Sequence, residues 1–469
     1  MSNNKIIHAF TDDALGNHDA VALTQLLRDK KLSQKEIIEA SIARAQKVDP
    51  SINAIEIDNY SRIRQANTPS TGIFAGIPTF IKDNIDLKGF PTRCGSQGLK
   101  TAKAVKKDDA FTRQYLQQGF MVMGKSRLPE FGLNPSTELP IPTRNPWHID
   151  YTAGGSSSGS AALVAAGVTP IAHGNDGGGS VRIPAACCGL IGLKPSRGRS
   201  IDTHAARSLP INIVSEGVMT RSVRDTAHFW AGMEQSYKNP KLAPIGLVEH
   251  PNKRRLKIGV AFDSLTAPTD AETRQTLVNA VKLLDSMGHH IEEVTIPTPQ
   301  SFVNDFPLYW SMLAFSILHF GRVVVNPRFD ASLAEPFSHG LKNYFQRQMY
   351  KAPLAMYRLK KSYNDYAQAF KNYDLLLTPM FVHTTPEIGY LSPDQDFDQL
   401  IQRLENFIAF TPWNNATGGP AVSLPMGMSN NGLPIGLQFS ANHGQERVLL
   451  ELAYEIEQAT PWLRIQDAV

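Results

Sequence analysis

The sequence predicts an α/β fold. Three observations support this prediction: a strand–helix–strand pattern over residues 256–296, strand-like apolar segments at 74–81 and 119–126, and two amphipathic helical segments within residues 19–47. A strand–helix–strand crossover joins parallel strands, and parallel sheets are covered by helices. We therefore expect strands and helices to share an α/β core.

The composition indicates an ordinary globular protein. Of the 469 residues, 42% are hydrophobic and 19% are charged, and no Pro- or Ser-rich linker separates two hydrophobic patterns. The net charge of +4 is spread along the chain. The densest basic cluster, residues 253–255, lies in a short loop before a predicted strand, where we expect a solvated surface and not a nucleic-acid site.

Cysteine usage and the N-terminus predict the compartment. The three cysteines are Cys94, Cys187 and Cys188; adjacent cysteines are poor candidates for a structural disulfide, and an odd count fits a reducing environment. The opening MSNNKIIHAFTDD lacks the charged head and apolar core of a signal peptide. No apolar run is long enough to span a bilayer, so we expect a cytoplasmic protein without a membrane partner.

The N-terminal segments read as two helices. Leu23, Leu26 and Leu27 form the apolar stripe of the first helix. Ser33 and Glu36 form a capping box, which predicts the start of the second helix.

The predicted strand at 74–81 ends at Lys82. An amine directly after the apolar pair Phe80–Ile81 is unusual, because burial of an ammonium group is costly. Most lysines are surface residues, so this position alone leaves a structural and a chemical interpretation open.

Residues 119–126 match the phosphate-loop pattern G-x-x-x-x-G-K-S, but their context contradicts that function. The four residues between Gly119 and Gly124 are apolar and indicate a buried strand. Pro129 would interrupt the helix that a phosphate loop needs after Lys125. We therefore reject nucleotide binding.

Two glycine–serine clusters, 154–160 and 177–180, are joined by apolar segments. Glycine lets backbone N–H groups approach a ligand closely, and a serine beside such donors suits acyl transfer. Residues 155–159 also fit G-x-S-x-G, the nucleophile elbow of α/β-hydrolases. That elbow follows a buried strand, whereas residues 145–152 read as a polar loop. His173 lies on a predicted strand, and no Ser–His–Asp triad is evident.

The C-terminal half combines a helical segment with further strands. Residues 301–371 are rich in aromatic residues and helix formers, and we expect most of these rings in the core. A strand follows at 373–378, and a terminal helix is expected around 449–456. His289–His290 and His319 show no metal-ligand spacing, so no metal is predicted.

Several motifs resemble those of the amidase-signature family of amide hydrolases. They are GGSSSGS from Gly154, GNDGGGSVRIPAACCGLIGLKPSRGR from Gly174, GIPTFIKDNI from Gly76, the EFG element at 130–132, and FTPWNNATGGPAVSLP with GLPIGLQ near the C-terminus. The interval of 24 residues between Ser156 and Ser180 also suits the family. The resemblance covers nearly the whole chain except residues 301–371.

The resemblance implies a single domain over residues 1–469. Its fold would be a central, mixed, twisted β-sheet covered by helices on both faces. Residues 1–70 would form an N-terminal helical region, and residues 301–371 a variable helical insert that contributes to the substrate funnel.

The resemblance also implies a Ser–Ser–Lys mechanism without a cofactor. Carried over by position, Ser180 is the nucleophile, Ser156 relays its proton, and neutral Lys82 is the base. Desolvation would lower the pKa of Lys82 and keep the amine neutral. In the family a cis peptide precedes the relaying serine, which here would join Gly155 to Ser156.

Binding residues follow from the same resemblance. Phe131 and Asn134 would line the substrate pocket. Four backbone N–H groups would face the oxyanion: those of Gly177, Gly178, Gly179 and Ser180.

Three positions depart from the commonest pattern of the family: Ser158, Asn175 and Gly177. We expect none of them to touch the three catalytic side chains. The variant motif is similar to that of bacterial amidases that include hydrolases of cyclic aminohexanoate amides.

The expected activity is hydrolysis of a small or medium carboxylic amide, cyclic or linear. An alternative is the glutaminase subunit of a tRNA-dependent amidotransferase, against which the aromatic insert argues. A non-enzymatic role on the same fold is a further alternative, which the retention of Lys82, Ser156 and Ser180 disfavours. The oligomeric state, with a homodimer as one option, stays open.

Overall fold

The computed structural model describes residues 5–66 and 71–468. Its strands are β1 (Ile55–Asp58), β2 (Pro78–Lys82), β3 (Met121–Ser126), β4 (Arg144–Asn145), β5 (His148–Thr152), β6 (Ile171–Asp176), β7 (Ile191–Lys194), β8 (Ser215–Thr220), β9 (Lys257–Val260), β10 (His290–Glu293), β11 (Leu375–Pro379), β12 (Ala421–Met428) and β13 (Pro434–Ala441). Parts of the N-terminal region predicted at 1–70, namely residues 1–4 and 67–70, lie outside the described residues, as does residue 469.

The helices surround these strands. They are α1 (Ala20–Arg28), α2 (Gln34–Ile52), α3 (Tyr60–Ile63), α4 (Ala110–Leu116), α5 (Ser158–Ala165), α6 (Arg182–Cys187), α7 (His204–Arg207), α8 (Val223–Ser236), α9 (Ala271–Ser286), α10 (Phe302–Val324), α11 (Pro336–Gln348), α12 (Ala352–Ala369), α13 (Phe397–Phe407), α14 (Pro412–Thr417) and α15 (Glu446–Ala459). The two predicted N-terminal helices are confirmed, and α2 begins with the predicted capping box between Ser33 and Glu36.

A large mixed sheet forms the centre of the fold. Its eight strands lie in the order β10-β9-β11-β13-β12-β7-β8-β6. β9 is parallel to both β10 and β11, and the remaining neighbours are antiparallel. The predicted crossover over 256–296 is therefore confirmed, with α9 between its two parallel strands. The α/β class and the mixed sheet flanked by helices are also confirmed.

A second, three-stranded sheet brings β2 beside β6, the last strand of the large sheet. β3 pairs with β2 in parallel and with β1 in antiparallel orientation. The Thr79 hydroxyl donates to the carbonyl of Ile171 at 3.0 Å, and the backbone N–H of Lys82 donates to His173 Nδ1 at 3.2 Å. These contacts place β2 alongside β6, with Lys82 next to His173.

Two predicted local structures differ from the structure. The strand expected at 74–81 begins only at Pro78, because the preceding residues turn against the backbone at Gln118. At Gly72, with φ +114°, a Cβ would lie 2.3 Å from the Gln118 carbonyl oxygen. The polar loop expected at 145–152 is instead the β4–β5 hairpin, in which the Asn145 side chain donates to the Thr152 carbonyl. This hairpin is separate from the large sheet, so residues 155–159 do not follow a strand of that sheet as a nucleophile elbow would.

The insert at 301–371 is helical as predicted, but its rings are less buried than expected. α10, α11 and α12 account for most of it. Phe306 and Tyr309 are buried, whereas Phe320 and Tyr350 are 50% and 75% exposed. Helical spacing of aromatic residues therefore identified the helices but did not identify which rings face the core.

Other sequence features have simple structural counterparts. All three cysteines are free, and Cys187 and Cys188 are buried. Among the helices of residues 5–66 and 71–468, none combines the length and the apolar character that a bilayer crossing requires.

Lys125, the lysine of the phosphate-loop pattern, forms a buried ion pair in the core. Its amine lies 2.8 Å from Asp83 Oδ1, both side chains are fully buried, and it also donates to the Ile85 carbonyl. The segment forms β3, so no loop is available to surround a phosphate.

We expect Lys125→Met to lower the free energy of unfolding by about 3 to 5 kcal/mol, because Asp83 would keep a buried carboxylate without its counter-charge. Urea unfolding measures this change. The double variant Lys125→Met/Asp83→Asn removes both charges and should recover part of the loss. A single variant within about 1 kcal/mol of the parent would contradict a structural role for this ion pair.

Candidate active site

The three predicted catalytic residues lie at three different ends or turns of the secondary-structure elements. Lys82 is the last residue of β2, Ser156 precedes α5, and Ser180 lies in the turn between β6 and α6. Lys82 is fully enclosed, Ser156 is 2% exposed and Ser180 is 8% exposed. The peptide bond between Gly155 and Ser156 is cis, as the family resemblance implies.

The Lys82 amine has two close polar partners. Its Nζ atom lies 2.7 Å from Ser156 Oγ and 2.7 Å from Asn175 Oδ1. Burial lowers the pKa of Lys82 to about 7, although the carboxylates of Glu216 and Asp176 act in the opposite direction. A substantial fraction of this amine is therefore neutral near pH 7 and has a free lone pair.

Asn175 corrects one expectation from the sequence. We expected it not to touch a catalytic side chain, yet its Oδ1 atom accepts from Lys82 and, at 3.2 Å, from Asn84 Nδ2. An amide oxygen only accepts hydrogen bonds, so the Lys82 amine donates to Asn175. A neutral Lys82 amine can donate to Asn175 and still accept the proton of the Ser156 hydroxyl, 2.7 Å away.

His173 and Glu216 lie behind the lysine. His173 Nδ1 accepts the backbone N–H of Lys82, which places the ring proton on Nε2, 2.9 Å from Glu216 Oε2. His173 therefore contacts the backbone of Lys82 and forms no hydrogen bond with either serine among the described residues. This geometry agrees with the absence of an evident Ser–His–Asp triad in the sequence.

Ser180 is connected to the Lys82–Ser156 pair through Ser157. The Ser157 hydroxyl donates to the Ser180 carbonyl at 2.6 Å and lies 3.3 Å from the Asn175 carbonyl. Within residues 5–66 and 71–468, no direct hydrogen bond joins the hydroxyls of Ser156 and Ser180. The structure thus brings the three residues into one neighbourhood and shows a side-chain contact only for Lys82 and Ser156.

The glycine loop before Ser180 is folded around Asp176. The Asp176 carboxylate accepts the backbone N–H of Gly179 at 2.7 Å, so the expectation that this N–H faces an oxyanion is wrong. The N–H groups of Gly177, Gly178 and Ser180 have no acceptor among the described residues. These three N–H groups can therefore donate to a ligand.

A buried cation holds this carboxylate in place. Arg182 donates to both Asp176 oxygens at 2.9 Å, and although burial opposes it, this guanidinium holds the pKa of Asp176 well below its usual range. Asn414, Asn415 and Gln438 accept from the other N–H groups of Arg182. The C-terminal motif that contributed to the family resemblance therefore supports the loop that presents Ser180.

Ser180 and Gly178 line a mostly apolar cavity. It contains about 550 Å³ of empty space, part of it open to solvent. The insert contributes Phe306, Trp310 and Phe337 to its wall. The helix α13, which carries no recognised motif, contributes residues that the sequence did not identify: Ile401, Leu404 and Glu405.

Of the two predicted pocket residues, Asn134 lines the cavity and Phe131 does not. Asn134 lines the cavity, but its amide is already bonded to the Leu391 carbonyl and to the backbone N–H of Ser136. Phe131 is not part of the lining; its ring packs edge-on against Phe329, with 5.4 Å between the ring centroids.

Known proteins are similar to this chain over nearly its whole length. The family model described as Amidase matches residues 36–450. The chain is 46% identical over 464 residues to the protein named "Putative amidase AmiC" of Mycobacterium leprae, covering 98% of this chain and 99% of that protein. It is 33% identical over 473 residues to the 6-aminohexanoate-cyclic-dimer hydrolase of Paenarthrobacter ureafaciens, covering 95% of each.

A solved structure shows the same fold. The structure of 6-aminohexanoate cyclic dimer hydrolase complexed with substrate superimposes with a TM-score of 0.87 at 30% identity, covering 97% of this chain and all of that chain. The chain belongs to the amidase family, the amidase-signature enzymes that hydrolyse amide carbon–nitrogen bonds.

Proposed function

We propose that this protein hydrolyses a small or medium carboxylic amide through an acyl-enzyme on Ser180, with Ser156 relaying protons to Lys82. The observation that supports this most strongly is the enclosed Lys82 amine, 2.7 Å from Ser156 Oγ, with a pKa of about 7. A serine hydroxyl is a weak nucleophile until a base accepts its proton.

The reaction proceeds in two halves. Ser180 Oγ attacks the amide carbon while its proton passes to Ser156 and the proton of Ser156 passes to Lys82. The oxyanion is stabilised by the free N–H groups of Gly177, Gly178 and Ser180. When the carbon–nitrogen bond breaks, Lys82 returns a proton through Ser156 to the departing nitrogen. Water then attacks the acyl-enzyme by the same relay and releases the acid.

The cavity suggests the class of substrate. Its wall is mostly aromatic and aliphatic, which favours an amide with an extended apolar portion. One relative acts on a cyclic dimer of 6-aminohexanoate, so cyclic as well as linear amides belong to the proposal.

Turnover of an amide panel tests the proposal, with the Ser180→Ala protein as the blank. The panel contains linear alkyl amides, aryl amides, a cyclic amide and glutamine. We expect hydrolysis of alkyl or cyclic amides by the parent and none by the blank. Preferred release of ammonia from glutamine would favour the alternative, an amidotransferase glutaminase subunit, and equal rates in parent and blank would exclude Ser180 as the nucleophile.

We expect Asn175→Asp to suppress activity at neutral pH. A carboxylate placed beside Lys82 favours the ammonium form and raises the pKa of the base by about 1 to 3 units. The rising limb of the kcat/KM–pH profile should therefore move upward by at least about one pH unit, with activity partly restored at alkaline pH. The exposed residue Asn304 on α10 supplies the control, because Asn304→Asp should leave the profile unchanged. An unshifted limb in the Asn175 variant would separate this residue from the proton relay.

A further inference from the structure

Of the described residues that line the mostly apolar cavity, Glu405 alone has an ionisable carboxylate. Glu405 on α13 lines it together with Ile401, Leu404 and Ile408, and the insert contributes aromatic residues to the same cavity wall. Ser180 lines the same cavity, so a ligand that fills this space contacts both Glu405 and Ser180.

Within residues 5–66 and 71–468, the charge of Glu405 has no protein partner. Among the described residues no lysine, arginine or histidine forms an ion pair with it, and no hydrogen bond engages its side chain. Its basic neighbour on the same helix, Arg403, donates instead to the Tyr390 carbonyl at 3.0 Å and to Gln395, and stacks on the Tyr390 ring. Burial raises the pKa of Glu405, and no charged group offsets that effect.

The chemistry of this position favours a cationic ligand group. An apolar ligand that fills the cavity would remove water from the carboxylate and leave it without compensation, which is unfavourable. A ligand that carries an ammonium group on an apolar chain would supply both the missing counter-charge and the apolar surface. A carboxylate ligand would instead be repelled.

We propose that Glu405 forms a subsite for an ammonium group at the distal end of a substrate's apolar chain, so that the enzyme prefers ω-amino alkyl amides. The substrate preference rests on the hydrolase function proposed above. Ammonium binding beside Glu405 does not depend on that function, and the two can be tested separately.

Binding is measured first, by calorimetric titration of the parent with n-hexylammonium and with hexan-1-ol. We expect the ammonium compound to bind at least about tenfold more tightly, as one charge-assisted contact provides. Glu405→Gln keeps the shape of the side chain and should reduce this ratio to less than about threefold. Asp398→Asn, at an exposed acidic residue on the same helix outside the cavity, should leave the ratio unchanged.

Turnover is measured second, as kcat/KM for ω-amino amides and unsubstituted alkyl amides of matched chain length. In the parent the amino amide of the best length should be preferred at least about tenfold, Glu405→Gln should reduce that preference to less than about threefold, and Asp398→Asn should leave it unchanged. Equal binding of ammonium and alcohol by the parent, or an unchanged ratio in Glu405→Gln, would overturn the subsite. Preferential ammonium binding without any amide turnover would uphold the subsite and count against the hydrolase function.

Discussion

Ser180→Ala is expected to lower kcat by at least about 10⁴-fold, because loss of a nucleophile removes the covalent route and leaves only binding and oxyanion stabilisation. The fold should be unaffected. The Ser180 hydroxyl has no hydrogen-bond partner among the described residues, and the contact from Ser157 is to the backbone carbonyl, which alanine retains. Initial rates on the best amide of the panel, together with thermal unfolding, measure both effects.

Covalent labelling provides an independent readout of the same residue. A fluorophosphonate forms a bond to an activated serine oxygen with loss of fluoride, and mass spectrometry should locate the adduct on Ser180 in the parent. Ser286→Ala, at an exposed serine on α9, should label like the parent, whereas Ser180→Ala should not label. Turnover by Ser180→Ala within about tenfold of the parent, or an adduct on another serine, would remove Ser180 as the nucleophile.

Lys82→Met is expected to lower kcat by at least about 10³-fold, because it removes the amine that accepts the proton of Ser156. Methionine retains much of the apolar stem. The neutral amine is the active form of the base, which sets the direction of the pH dependence. The kcat/KM of the parent should therefore rise with pH through a pKa of about 7 and level off above it. In Lys82→Met that limb should be absent.

Two further variants check that this loss reflects the base and not its surroundings. Lys82→Arg introduces a group that stays charged in this pH range, so it should be inactive although it keeps hydrogen-bond donors at the site. The double variant Ser180→Ala/Lys82→Met should be no slower than Ser180→Ala alone, because residues that act as one unit are not additive. The relay would be contradicted if the loss of kcat in the double variant equalled the product of the two single-variant losses. It would also be contradicted if the kcat/KM–pH profile of the parent showed no rise near pH 7.

Local patterns in the sequence were sufficient to predict several helices and strands and to identify Lys82 as an unusual residue. The β-α-β crossover, the capping box of α2 and the strand that contains Lys125 all depend on residues near one another in the chain, and the structure contains each of them. Lys82 was unusual on its own, since a charged side chain follows an apolar strand.

Contacts between distant segments could not be predicted in this way. The bond from Lys82 to Asn175 exists because β2 packs alongside β6, and no spacing in the sequence encodes that approach. Gly179 was assigned wrongly because its conformation brings its N–H onto Asp176, three residues earlier. Glu405 was missed because an amphipathic helix reveals its apolar face but not which cavity that face encloses.

The edge strand β10 of the large sheet also affects the tendency of the molecule to self-associate in concentrated solution. β10 is four residues long, and both of its glutamates are exposed, with Glu292 paired to Lys257 of the neighbouring strand. A strand from another molecule that added to this edge would have to dehydrate those carboxylates before its backbone could pair. Short length and negative charge thus protect the molecule from ordered self-association at a strand whose far side has no neighbour in the sheet.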